Sequence, residues 1–184
     1  YLNSKMHLFK NLLRKNSKII TDEDNKEFKI IKGIANQKRI KKITIGSKAG
    51  NIKILNNKYK KKKQVVKISV NSKICNLEIP LIGYFQVKNL LMAILAALSC
   101  GLNHNRIFKH IHKIKPVNGR LECVANLKNN SNIIVDFAHT PEALEQSLIA
   151  IKKQFKKESI IVFGCGGERD KKKRFIMGKI AKKY

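Results

Sequence analysis

The spacing of hydrophobic residues divides the chain into helices and strands. Apolar residues recur at helical spacing between positions 2 and 14, which predicts an amphipathic helix there. Between positions 51 and 79 the pattern changes to two-residue alternation, which is typical of antiparallel strands. Val87–Cys100 is the most apolar helical stretch and is followed by Gly101, so it predicts a buried helix with a glycine cap.

The same periods place the remaining elements. The predicted strands of the first part are 17–21, 42–45, 51–55, 64–70 and 73–79, with a helix at 26–34 and turns at 56–57 and 71–72. The later elements are helix 105–113, strands 121–126 and 132–136, helix 141–155, strand 159–163 and helix 173–183. Pro116 and the turn at 117–119 mark a domain boundary, and the order after it predicts the opening of a parallel α/β domain.

A glycine-rich loop lies between the last predicted strand and the last predicted helix. Gly164, Gly166 and Gly167 let the backbone turn sharply, and the following basic helix offers free N–H groups, so an anion fits here. The loop is neither a dinucleotide fingerprint, because Arg169 stands where a glycine is needed, nor a P-loop. Asp136 also follows a predicted strand, so we expect it to lie near this loop at the carboxyl edge of the sheet.

Composition adds charge to this picture. The 184 residues carry 40 Lys and Arg against 12 Asp and Glu, a formal charge of +28 that would suit nucleic acid. The basic residues are nevertheless spread along the whole chain, and aromatic residues for base stacking make up only 7%. The run Lys60–Lys63 is interpreted as a solvated hairpin flank.

Cysteines and histidines give no metal signal, whereas the acidic residues leave two interpretations open. The four cysteines are far apart and form no Cys-x-x-Cys pair, which favours a reducing, cytoplasmic location. His110 and His112 are two positions apart on a predicted helix and face different directions. The acidic cluster Asp22–Asp24 fits the start of a helix at least as well as a metal site. The longest apolar run is too short to cross a membrane.

Three stretches of the second half together resemble the Mur ligases. They are Asn118-Gly119-Arg120-Leu121-Glu122, Asp136-Phe137-Ala138-His139-Thr140-Pro141-Glu142-Ala143-Leu144 and Phe163-Gly164-Cys165-Gly166-Gly167-Glu168-Arg169-Asp170. Upstream, the family's helix, acidic turn and buried-helix entry are matched by residues 1–9, 21–24 and 83–89. The resemblance covers nearly the whole chain and is strongest to members that add the third amino acid of the peptidoglycan precursor.

The resemblance implies a fold and an activity. Residues 1–114 would be the later part of a central ATP-binding domain, and 115–184 the first part of a Rossmann-like C-terminal domain. The activity would be ATP- and Mg²⁺-dependent ligation of a diamino acid, diaminopimelate in preference to L-lysine, to UDP-MurNAc-L-Ala-D-Glu through an acyl phosphate. The implied enzyme is a cytoplasmic monomer at full length, without a nucleic-acid or membrane partner.

The resemblance also implies roles in nucleotide binding. Lys5 matches a lysine that is carbamylated and then binds Mg²⁺. Asn89 matches the asparagine that holds adenine, whereas Gln86 replaces a second family asparagine. Arg120 would reach the phosphates of ATP and Asp136 the ribose.

Three further roles follow from the same loops. His139 would lie near the phosphates or stabilise its loop. Arg169 would bind the carboxylate of the incoming amino acid, which agrees with the anion site expected there, while Gly164, Gly166 and Gly167 would shape the loop.

Two alternatives and one expectation accompany this interpretation. The chain could be another ATP-dependent amino-acid ligase of the superfamily, such as another Mur ligase, a folylpolyglutamate synthetase or a cyanophycin synthetase. It could also be a basic nucleic-acid-binding module whose binding falls steeply with salt. The family's P-loop is expected before Tyr1 and its diaminopimelate-sorting motif after Tyr184, so the chain alone is expected to be inactive.

Overall fold

The computed structural model describes residues 2–128, 131–166 and 170–184. In this structure the chain forms two compact units. The first runs to Asn57 and takes in Val66–Leu77 and Val87–Ile111, and the second comprises Lys58–Val65, Glu78–Gln86 and His112–Tyr184. The mixed α/β fold expected from the sequence is confirmed. The predicted domain boundary at residue 114 stays a prediction.

The helices follow the predicted apolar stripes closely. They are α1 (Leu2–His7, continued by a π-helical turn at Leu8–Leu12), α2 (Phe28–Gln37), α3 (Tyr84–Ser99), α4 (His104–His110), α5 (Pro141–Phe155) and α6 (Lys172–Lys183). On α3 the buried residues Val87, Leu91, Ile94 and Leu95 repeat every three or four positions, as a core-facing helix requires. Gly101 follows α3 with φ +88, a left-handed cap conformation.

Within the described ranges, seven strands form two sheets. They are β1 (Lys18–Asp22), β2 (Lys41–Gly46), β3 (Ile52–Lys60), β4 (Lys63–Val70), β5 (Lys73–Ile79), β6 (Glu122–Asn126) and β7 (Asn132–Val135). The first sheet has the order β1-β2-β3-β4-β5, and β1 is parallel to β2 and β2 to β3. Two-residue turns join β3 to β4 and β4 to β5, the connection typical of antiparallel neighbours. The pair β6-β7 is antiparallel.

Each unit has apolar clusters of its own. In the first unit, α1, β1 and α2 bury Met6, Ile19, Ile31, Ile34, Ala35 and Ile40 together. In the second unit, Ile82, Leu121 and Ala150 form one cluster, and Leu144, Leu148 and Met177 form another between α5 and α6. Full burial of each large aliphatic side chain contributes about 2 kcal/mol. The second unit therefore holds the turn before β6 firmly against α5, since Leu121 is completely buried.

The predicted turn between the third and fourth strands is wrong. The turn expected at Asn56-Asn57 lies inside β3, and the chain reverses at Lys61-Lys62 instead. Pairing along the sheet outweighs the turn preference of asparagine. The Gln154 side chain on α5 donates to the carbonyl oxygens of Lys61 (2.6 Å) and Lys63 (3.0 Å), which supports the hairpin at its observed position.

The strand predicted at 159–163 is also wrong. The segment forms no ladder with the described residues, and its side chains at Ile160 and Val162 are 98% and 95% exposed. An open cavity of about 600 Å³ is bordered by β7, by α5 and by residues 157–163. The segment and β7 border the same open cavity and are not hydrogen-bonded to each other, so the parallel sheet expected in this half is not formed among the described residues.

Candidate functional site

Arg120 lies on a tightly held turn just before β6. Its N–H donates to the carbonyl oxygen of Val117 (3.0 Å), and the N–H of Gly119 donates to a carboxylate oxygen of Glu122 (2.7 Å). Leu121 takes the left-handed conformation, with φ +47, while its side chain is completely buried. A buried side chain next to an unusual backbone conformation fixes where the Arg120 side chain leaves the turn. The guanidinium is therefore presented to solvent from a rigid base.

Asp136 ties this turn to two other elements. One carboxylate oxygen accepts the N–H of Leu121 (3.1 Å), and the other accepts the hydroxyl of Ser147 on α5 (2.5 Å). A carboxylate oxygen can accept more than one hydrogen bond, so these contacts leave capacity for a further donor. The end of β7, the Arg120 turn and α5 are thus held together by one side chain.

Gln86, at the start of α3, adds a second support. Its side-chain amide donates to the carbonyl oxygen of Arg120 (3.2 Å). Gln86 replaces a family asparagine, and the sequence did not show which group the glutamine contacts. In this structure it contacts the backbone of Arg120, the candidate for phosphate binding. The Arg120 carbonyl and the Leu121 N–H belong to one peptide group, so Gln86 and Asp136 hold the two sides of the same peptide plane.

Phe137 and His139 complete the cluster. The Arg120 guanidinium carbon lies 5.1 Å from the centroid of the Phe137 ring. The His139 ring meets the same phenyl ring edge-on at 5.5 Å, and its Nδ1 lies 3.2 Å from the carbonyl oxygen of Phe137. A carbonyl only accepts, so Nδ1 carries the proton and Nε2 is left for a ligand. The structure thus brings together Arg120, Asp136 and His139, three of the residues singled out from the sequence.

The sequence reasoning missed Phe137 as a member of this cluster. Its side chain is 64% exposed, although phenylalanine normally favours burial. The available signal was its position between Asp136 and His139 in the recognised stretch. An aromatic residue between two candidate site residues is itself a candidate, because it is placed in the same loop.

The other candidates lie elsewhere. Lys5 is on α1 and Asn89 on α3, both exposed residues of the first unit. Gly164 and Gly166 have ordinary backbone angles, and a Cβ at either would meet no atom within 4 Å, so local packing does not require glycine there. Gly167 and Arg169 lie outside the described residues.

A second polar cluster joins β1 to α3 in the first unit. The Lys88 ammonium lies 2.7 Å from Asp22 and 3.1 Å from Asp24. Asp24 also accepts the N–H (3.1 Å) and hydroxyl (2.8 Å) of Ser47. The acidic turn is therefore a partner of a lysine, and no group of three or more potential metal ligands occurs among the residues that the structure describes.

The ionisation of this cluster follows from its contacts. Burial alone would raise the pKa of Asp24, but hydrogen bonds from the Ser47 hydroxyl and N–H and from Lys88 lower it below its usual value. Burial alone would lower the pKa of Lys88, whereas hydrogen bonds to Asp22 and Asp24 raise it. Both partners are therefore held in their charged forms over the neutral pH range.

Comparisons with known proteins give a consistent result. The family model described as "Mur ligase middle domain" matches residues 1–97, and "Mur ligase, glutamate ligase domain" matches residues 119–184. The UDP-N-acetylmuramoyl-L-alanyl-D-glutamate--2,6-diaminopimelate ligase of Rickettsia typhi is 37% identical over 186 residues, covering 100% of this chain and 37% of the relative. The chain thus spans little more than a third of the length of such relatives.

Solved structures agree with the sequence comparisons. A structure of a UDP-N-acetylmuramoyl-L-alanyl-D-glutamate--2,6-diaminopimelate ligase matches with a TM-score of 0.69 and 26% identity, over 100% of this chain and 38% of that one. The MurF ligase of Thermotoga maritima, solved in complex with ADP, matches with a TM-score of 0.67 and 16% identity, over 83% of this chain and 34% of that one. At that identity the second likeness concerns the fold alone.

None of the helices in the described ranges combines the length and apolar character needed to cross a bilayer.

Proposed function

The chain belongs to the Mur ligase family, and we propose that it forms part of a ligase that joins diaminopimelate to UDP-MurNAc-L-Ala-D-Glu at the expense of ATP. The name of the Rickettsia typhi relative supports both substrates, and the ADP in the Thermotoga maritima neighbour supports a nucleotide. The contribution of this chain would be the later part of the central domain and the first part of the C-terminal domain, which agrees with the order of the two family models.

The proposed reaction has two balanced steps. A carboxylate oxygen of the UDP-MurNAc-dipeptide attacks the γ-phosphorus of ATP, and ADP leaves, which gives an acyl phosphate. The amine of diaminopimelate then attacks the acyl carbon and forms the C–N bond. The C–O bond to the phosphate breaks, inorganic phosphate leaves, and the amine nitrogen loses a proton. The main obstacle is the approach of an anionic carboxylate to a polyanion, so cationic donors aimed at the phosphates are the most effective help.

The main support for this proposal is the position of Arg120 on a turn that is held by hydrogen bonds. Arginine offers a permanent fork of N–H donors that matches phosphate oxygens, and here its backbone is fixed by Asp136 and Gln86. His139 would present Nε2, which its Nδ1 contact leaves available, beside the Arg120 turn. Asp136 has capacity for a ribose hydroxyl besides its two internal contacts.

The remaining roles concern binding and substrate choice. Asn89 would hold adenine through an amide that both donates and accepts, and Arg169 would bind the carboxylate of diaminopimelate. Mg²⁺ would supply charge neutralisation between the phosphates and the carboxylate. The described residues do not by themselves assemble a site for that ion, since Lys5 as a carbamate would give one ligand and no acidic cluster gives the rest.

A segment exchange tests the proposed function. The matching segment of the Rickettsia typhi ligase is replaced by residues 1–184, and the hybrid is assayed with ATP, UDP-MurNAc-L-Ala-D-Glu and either diaminopimelate or L-lysine. The expected result is ligation of diaminopimelate with stoichiometric release of ADP, and no turnover by the isolated 184-residue chain. A folded hybrid that releases no ADP with any amino acid, or turnover by the isolated chain, would contradict the proposal.

A further inference from the structure

The Arg120 side chain is restrained at both of its ends. Its backbone carbonyl and the next N–H are engaged by Gln86 and Asp136, so the Cα position is fixed. Its guanidinium carbon lies 5.1 Å from the centre of the Phe137 ring, within the range of a cation–π contact. A long side chain that is held at its base and in contact at its head has lost part of its freedom before any ligand arrives.

The exposure of Phe137 needs an explanation other than burial. The ring is 64% exposed, on the loop between β7 and α5, so the hydrophobic effect gains little from it there. Its ring instead has the Arg120 guanidinium above its face and the His139 ring at its edge. The electron-rich face of an aromatic ring attracts a guanidinium and leaves the in-plane N–H donors of that guanidinium available.

We propose that Phe137 is a positioning residue that orients the Arg120 guanidinium, through its ring face, for a phosphate group of the nucleotide. The proposal rests on the proposed function, which makes Arg120 the phosphate-binding side chain. Phe137 itself touches no reacting atom. Its contribution is that the arginine pays less conformational entropy when it binds, which raises affinity without a new contact to the ligand.

Leucine is the informative replacement, because it is similar in bulk but has no ring face. In Phe137→Leu the Arg120 head group becomes free to rotate, and the affinity for a phosphate ligand should fall about two- to five-fold, the effect of losing one exposed cation–π contact. Phe137→Tyr keeps a ring face and should bind as the unmodified chain does. A matched control is Phe175→Leu, since Phe175 on α6 carries Lys179 above its ring at 4.4 Å but lies on another element.

The test uses the 184-residue chain, with pyrophosphate as the probe and the side-chain Nε–H signal of Arg120 followed by NMR. Circular dichroism first establishes that each variant is folded. Without ligand, ring currents should shift the Arg120 side-chain protons in the unmodified chain and in Phe137→Tyr, but not in Phe137→Leu. With pyrophosphate, Phe137→Leu should bind two- to five-fold more weakly, and Phe175→Leu should bind unchanged.

The outcomes test the positioning role of Phe137 separately from the phosphate-binding role of Arg120. Equal pyrophosphate affinity for the unmodified chain and Phe137→Leu, or no ring-current shift at Arg120, would overturn the positioning role. A ring-current shift that disappears in Phe137→Leu, combined with no response of Arg120 to pyrophosphate, would overturn the phosphate assignment that the proposed function makes. A two- to five-fold loss in Phe137→Leu, restored by Phe137→Tyr, would support both.

Discussion

Replacing Lys88 with methionine should remove a central tie of the first unit. The Lys88 ammonium bridges Asp22 at 2.7 Å and Asp24 at 3.1 Å, so it joins the carboxyl end of β1 to α3. The three side chains are only 19%, 13% and 27% exposed, so water cannot fully replace the lost cation. Methionine keeps most of the apolar stem, so the charge and its hydrogen bonds are what the variant deletes.

The expected loss is about 2 kcal/mol in the free energy of unfolding near neutral pH. Hydrogen bonds that involve charged groups contribute about 1.5–3 kcal/mol each, and partial exposure reduces that amount. For a domain of this size the change corresponds to a fall of about 4–8 °C in Tm. Lys26→Met is the matched control, because Lys26 is 90% exposed and its contact with Glu27 is 3.7 Å, so its variant should stay within about 0.5 kcal/mol.

The pH dependence gives a second, independent signature. The pKa of Asp24 is lowered in the folded chain, so its contribution to stability is present above about pH 4 and is lost as pH falls further. The pKa of Lys88 is raised, so its contribution is present at neutral pH and is lost only above about pH 10. The stability difference between the unmodified chain and Lys88→Met should be flat between about pH 5 and pH 9 and should shrink in acid.

Urea unfolding followed by far-ultraviolet circular dichroism measures both quantities. Lys88→Met and Lys26→Met are compared with the unmodified chain at several pH values and at low and high salt. Equal stability of all three proteins at neutral pH would refute the reasoning, as would a difference that grows in acid. A double-mutant cycle with Asp24→Asn then assigns the share of the second carboxylate.

The other predictions concern the second unit and the glycine after α3. Gly83→Ala should destabilise the chain by about 3 kcal/mol, because φ is +90 and the new Cβ would lie 3.0–3.1 Å from three side chains. Gly101→Ala, with φ +88 but open space around the Cβ, should cost only about 1 kcal/mol, and equal losses in urea unfolding would exclude the packing argument. Gln154→Leu should cost about 1–2 kcal/mol and speed amide exchange in the hairpin it supports, whereas the exposed Gln146→Leu on the same helix should do neither.

The sequence predicted the helices well, because their signals are local. Pro141 at the first turn and the apolar repeat that ends at Phe155 gave α5 with the observed bounds. The Thr140 hydroxyl accepts the N–H of Ala143 (3.2 Å), which is the N-cap that such a start requires. The periodicity of apolar residues is enough to predict a helix, because the partners of each residue are only three or four positions away.

Strands were less predictable, since their partners are distant. The segment 159–163 has the apolar run of a buried strand, but it borders the open cavity beside β7 and pairs with no strand of the described residues. The Asn56-Asn57 pair carries a turn signal that the pairing of β3 overrules. In both places a non-local partner, or its absence among the described residues, decided the outcome.

The site was predictable only where its residues lie in short stretches of the sequence. Arg120, Asp136 and His139 were found from short stretches that resemble a family, and the structure brings these three together. The Lys88 bridge was missed because 66 residues separate it from Asp22, and no local pattern links them. The predicted roles of Lys5 and Arg169 stay predictions.

The most direct test of the account is the effect of Arg120→Ala on ligation by the Rickettsia typhi hybrid that carries residues 1–184. The account predicts that the hybrid joins diaminopimelate to UDP-MurNAc-L-Ala-D-Glu, and that Arg120→Ala lowers kcat/KM for ATP by about 100-fold or more while Arg106→Ala, on α4, leaves it unchanged. A folded Arg120→Ala hybrid with the same kcat/KM for ATP as its parent would contradict the claim that this turn binds the nucleotide.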